Sequence, residues 1–464
     1  MLQVFDSLTN KKQFLEKPKR GFLKLFVCGP TVYDYPHIGH ARTYIVFDAF
    51  VRFLRSQKIK IIYLQNITDI DDKIIKRAKK THKSPLELAR FFEAEYKKTM
   101  KKLNINSVEI YARATEHIKE IQSQISILFK KGFAYQTDRG VYFEVKKFKP
   151  YGGLSRQNLD ELRPGWRIEP DPEKKDPLDF ALWKKANPGE PKWPSPWGWG
   201  RPGWHIEDTA IAEKFFGPQY DVHGGGVDLK FPHHESEIAQ MEAISGKKPF
   251  VRIWMHAGFL LVEDKKMSKS LKNFITVSDF LKKYSPAILR MLILSVHYRS
   301  PLNYADELAL QTKSSLQNIE EFLEKLRLVI SSKNKKQKSS SFKIDQLIKV
   351  LDTNFTKALE DDFNTPKALS VIFNIISSWQ NQVWQFNKEQ AKKIIKLIKN
   401  KLNILGIELP ALKISKKIKN LAKKRGLLRK NKQFIQADLL RKKIERLGYR
   451  IEDTPLGSLI LRNY

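Results

Sequence analysis

The chain has 464 residues and a single cysteine, Cys28; a core of several domains is within reach, and an intrachain disulfide framework is excluded. Lys and Arg number 85 against 50 Asp and Glu, a net charge of +35 that points to a polyanionic partner, nucleic acid before an anionic membrane; lysine enrichment from a biased genome is the competing explanation. No apolar run approaches the ~20 residues of a membrane span, and the opening Met1-Leu2-Gln3-Val4-Phe5-Asp6 lacks a basic-then-apolar signal pattern, so a soluble cytoplasmic protein is expected.

Leu23 to Val27 predicts a buried strand, broken at Gly29-Pro30. From Ala41 a helical pattern runs through Phe47, Phe50, Val51 and Leu54, giving a helix over 39–57. Between them stands Pro36-His37-Ile38-Gly39-His40. This order puts backbone N–H groups and two imidazoles at a helix N-terminus, where a phosphate is favoured. Gly39 lets a ligand approach the backbone closely. Ile59, Ile61, Ile62 and Leu64 predict a second buried strand over 58–65, completing a βαβ unit. Such a unit implies a parallel sheet with ligands at the carboxyl ends of its strands. Thr68 or Asp69 is the expected cap of the next helix. A carboxylate there would serve either the helix start or a substrate ammonium group, and Asp71 and Asp72 read as a solvated helix start.

Residues 84–133 repeat at helical spacing. Residues 134–205 are irregular and rich in Pro, Gly and Trp, as expected of an insertion between two halves of a nucleotide-binding fold; Trp183, Trp193, Trp197 and Trp199 read as packing on prolines. Gly224, Gly225 and Gly226 allow backbone contact with an adenosine or its ribose, and Asp228 is placed to accept from ribose hydroxyls. His233 and Glu237 are four apart, hence on one helix face, and suit a zinc ion whose other ligands come from remote loops. His234 and Glu235 are expected to point elsewhere, toward the surface.

Lys265-Lys266-Met267-Ser268-Lys269-Ser270 forms a second motif about 230 residues after the first. Beyond Asn273 the pattern is helical, with Leu316, Ile319, Leu323, Leu326 and Ile330 on one face. The 331–341 stretch has no apolar residue and reads as an exposed loop. Further helices are predicted at 344–359, 368–386, 389–402 and 416–430. From Lys388 to Arg450, 21 Lys and Arg face 4 Asp and Glu, a basic tail more specific than the global charge.

The histidine box at 37–40 and the lysine motif at 265–270 together resemble the two signatures of class I aminoacyl-tRNA synthetases. Over nearly the whole chain the resemblance narrows to the bacterial-type cysteinyl-tRNA synthetases. It is carried by Cys28–Asp34, Asn66–Lys73, Asp176–Trp183, Pro202–Glu207, His223–Glu237 and Glu360–Pro366. The resemblance implies an α/β fold: a Rossmann-like parallel-sheet catalytic domain with an insertion, then a helical bundle and a small C-terminal anticodon-binding module. The implied segments are 1–115 and 201–275 for the two catalytic halves, 116–200 for the insertion, 276–410 for the stem-contact region and bundle, and 411–464 for the anticodon module.

The implied activity is ATP-dependent ligation of L-cysteine to its tRNA through a cysteinyl-adenylate, by a monomer, with magnesium accompanying ATP. His37, His40, Lys266 and Lys269 would stabilise the α-phosphate as the cysteine carboxylate attacks it. Thr68, Trp204 and His223 would bind the cysteine. The family's zinc ligands, two Cys, one His and one Glu, fall on Cys28, Asp208, His233 and Glu237. Asp208 therefore departs from the family, putting a hard oxygen where it has a soft thiolate; weaker zinc retention or loss of the metal would follow. Lys272, where glycine is common, is a second departure. Arg429, Phe434, Asp438 and Asp453 correspond to positions that contact anticodon bases; Phe434 stands where the family has tryptophan, and helix core is its alternative role. Two rivals are a ligase that passes cysteine to a small amine, which would have no use for the basic tail, and a silent RNA-binding paralogue, which would be free to lose His37, His40, Lys266 and Lys269.

Overall fold

The computed structural model describes residues 2–157, 172–267, 273–332 and 344–462. Lys269, Lys272 and most of the 331–341 stretch lie outside them, as does the side chain of Lys266. The chain divides into two units, Met1–Ala305 with Glu360–Asn364, and Asp306–Leu359 with Thr365–Tyr464.

The first unit opens with a short antiparallel pair, β1 (Gln3–Asp6) and β2 (Lys11–Phe14). Its centre is a five-stranded sheet built from β3 (Leu23–Val27), β4 (Ile61–Ile67), β5 (Ile110–Arg113) and two later strands, Tyr220–Gly226 and Val251–Ala257. β3 is buried except for Lys24, as expected of a strand covered on both faces of a parallel sheet. Helix α1 (Ile38–Ser56) crosses from β3 to β4, which pair in parallel, so the expected βαβ unit is present. The second strand begins at Ile61, later than predicted, because Lys58 turns the chain with a φ of 59° and Ile59 bonds back to Leu54.

Helix α2 (Asp72–Thr81) is capped by Asp71, whose side chain accepts from the Lys73 N–H; Thr68 and Asp69, the expected caps, are buried at the strand end instead. Asp69 accepts from the Thr115 N–H and hydroxyl. Helix α3 (Pro85–Lys102) and helix α4 (Ile118–Lys130) carry the helical periodicity of 84–133, with the four residues of β5 between them.

The segment expected to be irregular contains a four-stranded antiparallel sheet, β6 (Ala134–Thr137), β7 (Gly140–Phe143), β8 (Phe180–Lys185) and β9 (Gly200–Pro202), in that order. Trp183 is buried on it, but Trp199 is 56% exposed beside Lys192, so its packing role is not met. Helix α5 (Trp204–Phe216), β10 (Tyr220–Gly226), helix α6 (Glu235–Ser245) and β11 (Val251–Ala257) return the chain to the main sheet. The spatial order is β11-β10-β3-β4-β5. The connections run outward in opposite directions from β3 and β10, so the switch point of the sheet lies between these two strands, the position where parallel sheets bind ligands.

The second unit is mainly helical, with helices Asp306–Ser331, Ile344–Glu360, Thr365–Gln380, Lys388–Ile404, Lys416–Lys430 and Phe434–Arg446. Leu316, Ile319, Leu323 and Leu326 are buried on one face of the first. The unit ends in a hairpin, Tyr449–Thr454 with Gly457–Arg462. Among the described residues, no helix is long and apolar enough to cross a membrane.

Candidate active site and metal centre

His37 is the N-cap of α1. Its Nδ1 accepts the backbone N–H of Gly39 at 3.1 Å and of His40 at 3.3 Å, and His40 Nδ1 accepts the His37 N–H at 3.4 Å. Both Nδ1 atoms being acceptors, each neutral ring carries its proton on Nε2. Burial, and then the neighbouring His40, drops the pKa of His37 to about 2; burial, and then Lys73, drops His40 to about 4. The pair therefore offers two Nε2–H donors at neutral pH. Gly39 is required here: a Cβ would stand 2.8 Å from the His37 ring and 3.0 Å from Met267. Met267 belongs to the lysine motif, which thus reaches the histidine box.

Cys28 follows β3 directly, and His223 sits in β10 opposite Phe26, so the switch point brings them together. Cys28 Sγ lies 3.2 Å from His223 Nε2, 3.1 Å from His234 Nε2 and 3.9 Å from a carboxylate oxygen of Glu237. His233 Nε2 is 3.2 Å from Glu237 Oε1, so the four-residue spacing does place them on one face. Among the described residues, the donor atoms of Cys28, His233, His234 and Glu237 all lie within 4.8 Å of one another, and all four residues are buried. Asp208, from α5, borders this group. Its Oδ2 is 3.1 Å from His233 Nε2, and its Oδ1 accepts from Asn66 Nδ2 at 2.5 Å.

The expectation that His234 and Glu235 turn outward is overturned. The chain enters α6 through an irregular wide turn, Lys230–His234, with Phe231 extended, and both residues are buried. Glu235 accepts from the Ser155 N–H at 2.8 Å, and His234 faces Cys28.

Acidic groups crowd this site. Burial, and then the charges of Asp208 and Glu237, push the Cys28 thiol well up; burial and Asp208 do the same to Glu237 and Glu207. Burial holds His223 and His234 well below the usual imidazole range. Glu237 Oε2 is buried without a hydrogen bond. A thiol, carboxylates and neutral imidazoles converging on a buried point are a donor set that zinc satisfies.

The remaining expected residues surround this centre. Trp204, at the start of α5 and 38% exposed, stacks on His233 with ring centroids 4.2 Å apart and an angle of 14°. Thr68 donates to Glu207 and lies beside Asn66. Gly225 gives the His234 ring its room, since a Cβ there would stand 2.8 Å from it. Asp228 follows β10 in the short turn Val227–Leu229 and is exposed. Sequence reasoning missed Asn66, His205, Glu207, His234 and His256. His205 supports His233 through a 2.8 Å Nδ1–Nδ1 hydrogen bond.

In the second unit Asp453 receives Arg425 through two bonds, at 2.6 and 2.9 Å, and Arg429 at 3.0 Å. Arg425 above all holds its carboxyl below the usual range. The Arg429 guanidinium lies 5.8 Å from the Phe434 ring centre, and Phe434 is 51% exposed, which removes the core alternative. Asp438 is exposed one turn further along the same helix.

A family described as tRNA synthetases class I (C) catalytic domain matches residues 14–314, and the DALR domain family matches residues 354–410. A cysteine–tRNA ligase of Thermococcus gammatolerans is 44% identical over 469 residues, covering 99% of this chain and 98% of its own. One from Thermoplasma volcanium is 46% identical over 451 residues, 97% of each chain. One from Carboxydothermus hydrogenoformans is 41% identical, covering 98% of this chain and 99% of its own. Among solved structures, methionyl-tRNA synthetase of Mycobacterium tuberculosis in complex with methionyl-adenylate is similar in fold, with a TM-score of 0.60 at 15% identity over 83% of this chain and 89% of that one.

Proposed function

The chain belongs to the cysteine–tRNA ligases of the class I aminoacyl-tRNA synthetases, and from that membership we propose how its residues divide the work. The enzyme ligates L-cysteine to its tRNA with ATP, through a cysteinyl-adenylate. The cysteine carboxylate attacks the α-phosphate and releases pyrophosphate; a terminal ribose hydroxyl of tRNA then takes the cysteinyl group. His37 and His40 donate their Nε2–H groups to the phosphate chain as charge builds on it, with Lys266 and Lys269 as the cationic partners and magnesium accompanying ATP. Gly39, Gly225 and Asp228 hold the nucleotide. Thr68, Trp204 and His223 bind the cysteine. Arg429, Phe434, Asp438 and Asp453 read the anticodon. The enzyme acts in the cytoplasm as a monomer.

Zinc is the proposed resident metal. Cys28, His233 and Glu237 supply three donors, and the fourth place has two claimants, Asp208 and His234. Bound zinc would take the substrate thiolate directly, a bond that a serine hydroxyl does not match. Glu237 Oε1, 3.2 Å from His233 Nε2 and 3.9 Å from Cys28 Sγ, is the carboxylate oxygen that faces this point.

One observation carries the reading: the Nε2–H donor pair at the start of α1 and the buried donor group at Cys28 flank the same switch point of one parallel sheet. The test is metal content with cysteine-dependent ATP–pyrophosphate exchange on one sample, followed by tRNA charging. Zinc near one per chain, exchange and charging are expected. Exchange with a small-amine acceptor in place of tRNA would favour the amine ligase. Neither exchange nor charging by folded protein would favour the silent paralogue.

A further inference from the structure

We propose that His234 is a direct zinc ligand in this chain, joining Cys28, His233 and Glu237 in the place left by the thiolate that Asp208 has replaced. The proposal rests on the zinc reading of this site and goes beyond it by naming a second imidazole as the compensating donor.

Four observations carry it. His234 Nε2 stands 3.1 Å from Cys28 Sγ, and its donor atom belongs to the group lying mutually within 4.8 Å, to which Asp208 does not belong. The far side of the ring is held: His234 Nδ1 is 2.8 Å from His256 Nε2, and His256 Nδ1 is 2.8 Å from Ser7 Oγ. The tautomer in which Nδ1–H donates to His256 puts the lone pair on Nε2, the atom that faces the thiol. This is the arrangement by which a metal-bound histidine is usually oriented, with its other nitrogen fixed by a buried acceptor. Gly225 leaves the ring its space. Asp208, by contrast, has one oxygen committed to Asn66 at 2.5 Å.

The chemistry agrees. Zinc is borderline-soft, and a neutral imidazole replaces a thiolate more closely than a carboxylate does. One thiolate, two imidazoles and one carboxylate also carry one negative charge less than a set in which Asp208 takes the place of His234. Asp208 is then an outer residue, holding Asn66 and lying beside His233.

X-ray absorption at the zinc edge of the full-length protein, loaded with one zinc and free of cysteine, tests this. One sulfur and two imidazole rings are expected. In His234→Gln one ring is lost and zinc retention against a chelator weakens at least 10-fold, the lower end of what even outer partners contribute; Asp208→Asn keeps both rings. A wild-type spectrum with one ring, and ring-independent loss of zinc in Asp208→Asn, would overturn the proposal while leaving the zinc reading intact. Folded protein that takes up no zinc would overturn the zinc reading itself, and the proposal with it. The wild-type ring count decides the matter even if His234→Gln does not fold.

Discussion

His37 and His40 close one another: each ring accepts the other's backbone N–H through Nδ1, and the rings stack with centroids 3.7 Å apart. The reciprocal cap does two things at once. It satisfies backbone donors at the start of α1, and it commits both rings to the tautomer whose free proton points away from the helix. The same atoms that stabilise the fold thereby set the donor pair proposed to meet the phosphates.

His37→Asn separates these roles. Asparagine is a strong cap, so thermal stability should stay close to wild type. The Nε2–H donor is gone, and cysteine-dependent pyrophosphate exchange should fall on the order of 10²–10³-fold, the usual cost of removing one such donor. An exchange rate within a few-fold of wild type would make the box a cap and nothing more. The pH dependence has a definite sign. In the unfolded chain these rings titrate near 6.5, but in the folded one at about 2 and about 4. Between those values the unfolded state binds more protons, so their contribution to stability is complete above pH 6.5; that of His40 is lost as the pH falls to about 4 and that of His37 as it falls to about 2. Proton-resolved histidine spectra should show both rings neutral and Nε2-protonated at pH 6.

Trp204 stacks on His233 and exposes its other side. Trp204→Ala removes the plane that fixes this imidazole and a wall of the proposed cysteine site. A ring pair of this kind is worth about 0.5–1.5 kcal/mol. The KM for cysteine in exchange should therefore rise up to about 10-fold, with Trp204→Phe recovering most of it. An unchanged KM in Trp204→Ala would remove Trp204 from the cysteine site.

Much of the first unit was legible because its signals are local. Leu23–Val27 is a continuous apolar run and is the strand; the helix after it announces itself through spacing and through the glycine that lets the box close. β5 was hidden because its four residues, Ile110–Arg113, lie between two strongly periodic helices and pair only with a distant strand. The insertion's sheet escaped notice because its strands are three to six residues long and, after the two-residue turn joining β6 to β7, separated by long connections. At the proposed metal centre, the spacing of His233 and Glu237 was readable because a four-residue interval still brings them together, although His233 stands in the wide turn before α6. His234 was not, because adjacent residues point about 100° apart on a regular helix, and the wide turn before α6 breaks that regularity. Nor does local sequence reveal that Asn66, at the end of β4, reaches Asp208.

The stability of the catalytic unit should depend on a buried ion pair that the chemistry does not use. Asp48, on α1, accepts Arg290 Nη2 at 2.6 Å and Arg52 Nε at 2.8 Å, while its other oxygen accepts the N–H groups of Asn106 and Ser107. Burial pushes the carboxyl up, but Arg290 and Arg52 outweigh it and hold it below the usual range. Arg290→Met leaves Asp48 buried with less to balance it and should cost about 3–5 kcal/mol in denaturant unfolding. Adding Asp48→Asn should cost less than the sum of the two. The contribution of Asp48 is complete above the ordinary carboxylate value and is lost as the pH falls through its lowered folded value. Strict additivity of the two substitutions would mean that the pair does not act as a unit.

The anticodon reading predicts a different failure. Phe434 exposes half its surface beside Arg429, which Asp453 holds together with Arg425. A base stacked on an aromatic ring contributes about 1–3 kcal/mol, so Phe434→Ala should weaken tRNA binding by roughly 5- to 150-fold, and Phe434→Trp should strengthen it. Arg425→Ala should act less directly: Asp453 loses its two-bond partner, its carboxyl moves back up toward the ordinary range, and the carboxylate that holds Arg429 is less firmly fixed. Both effects should appear in the KM for tRNA during charging. Wild-type tRNA affinity in Phe434→Ala would move base recognition away from this platform and toward the remaining basic surface of the module.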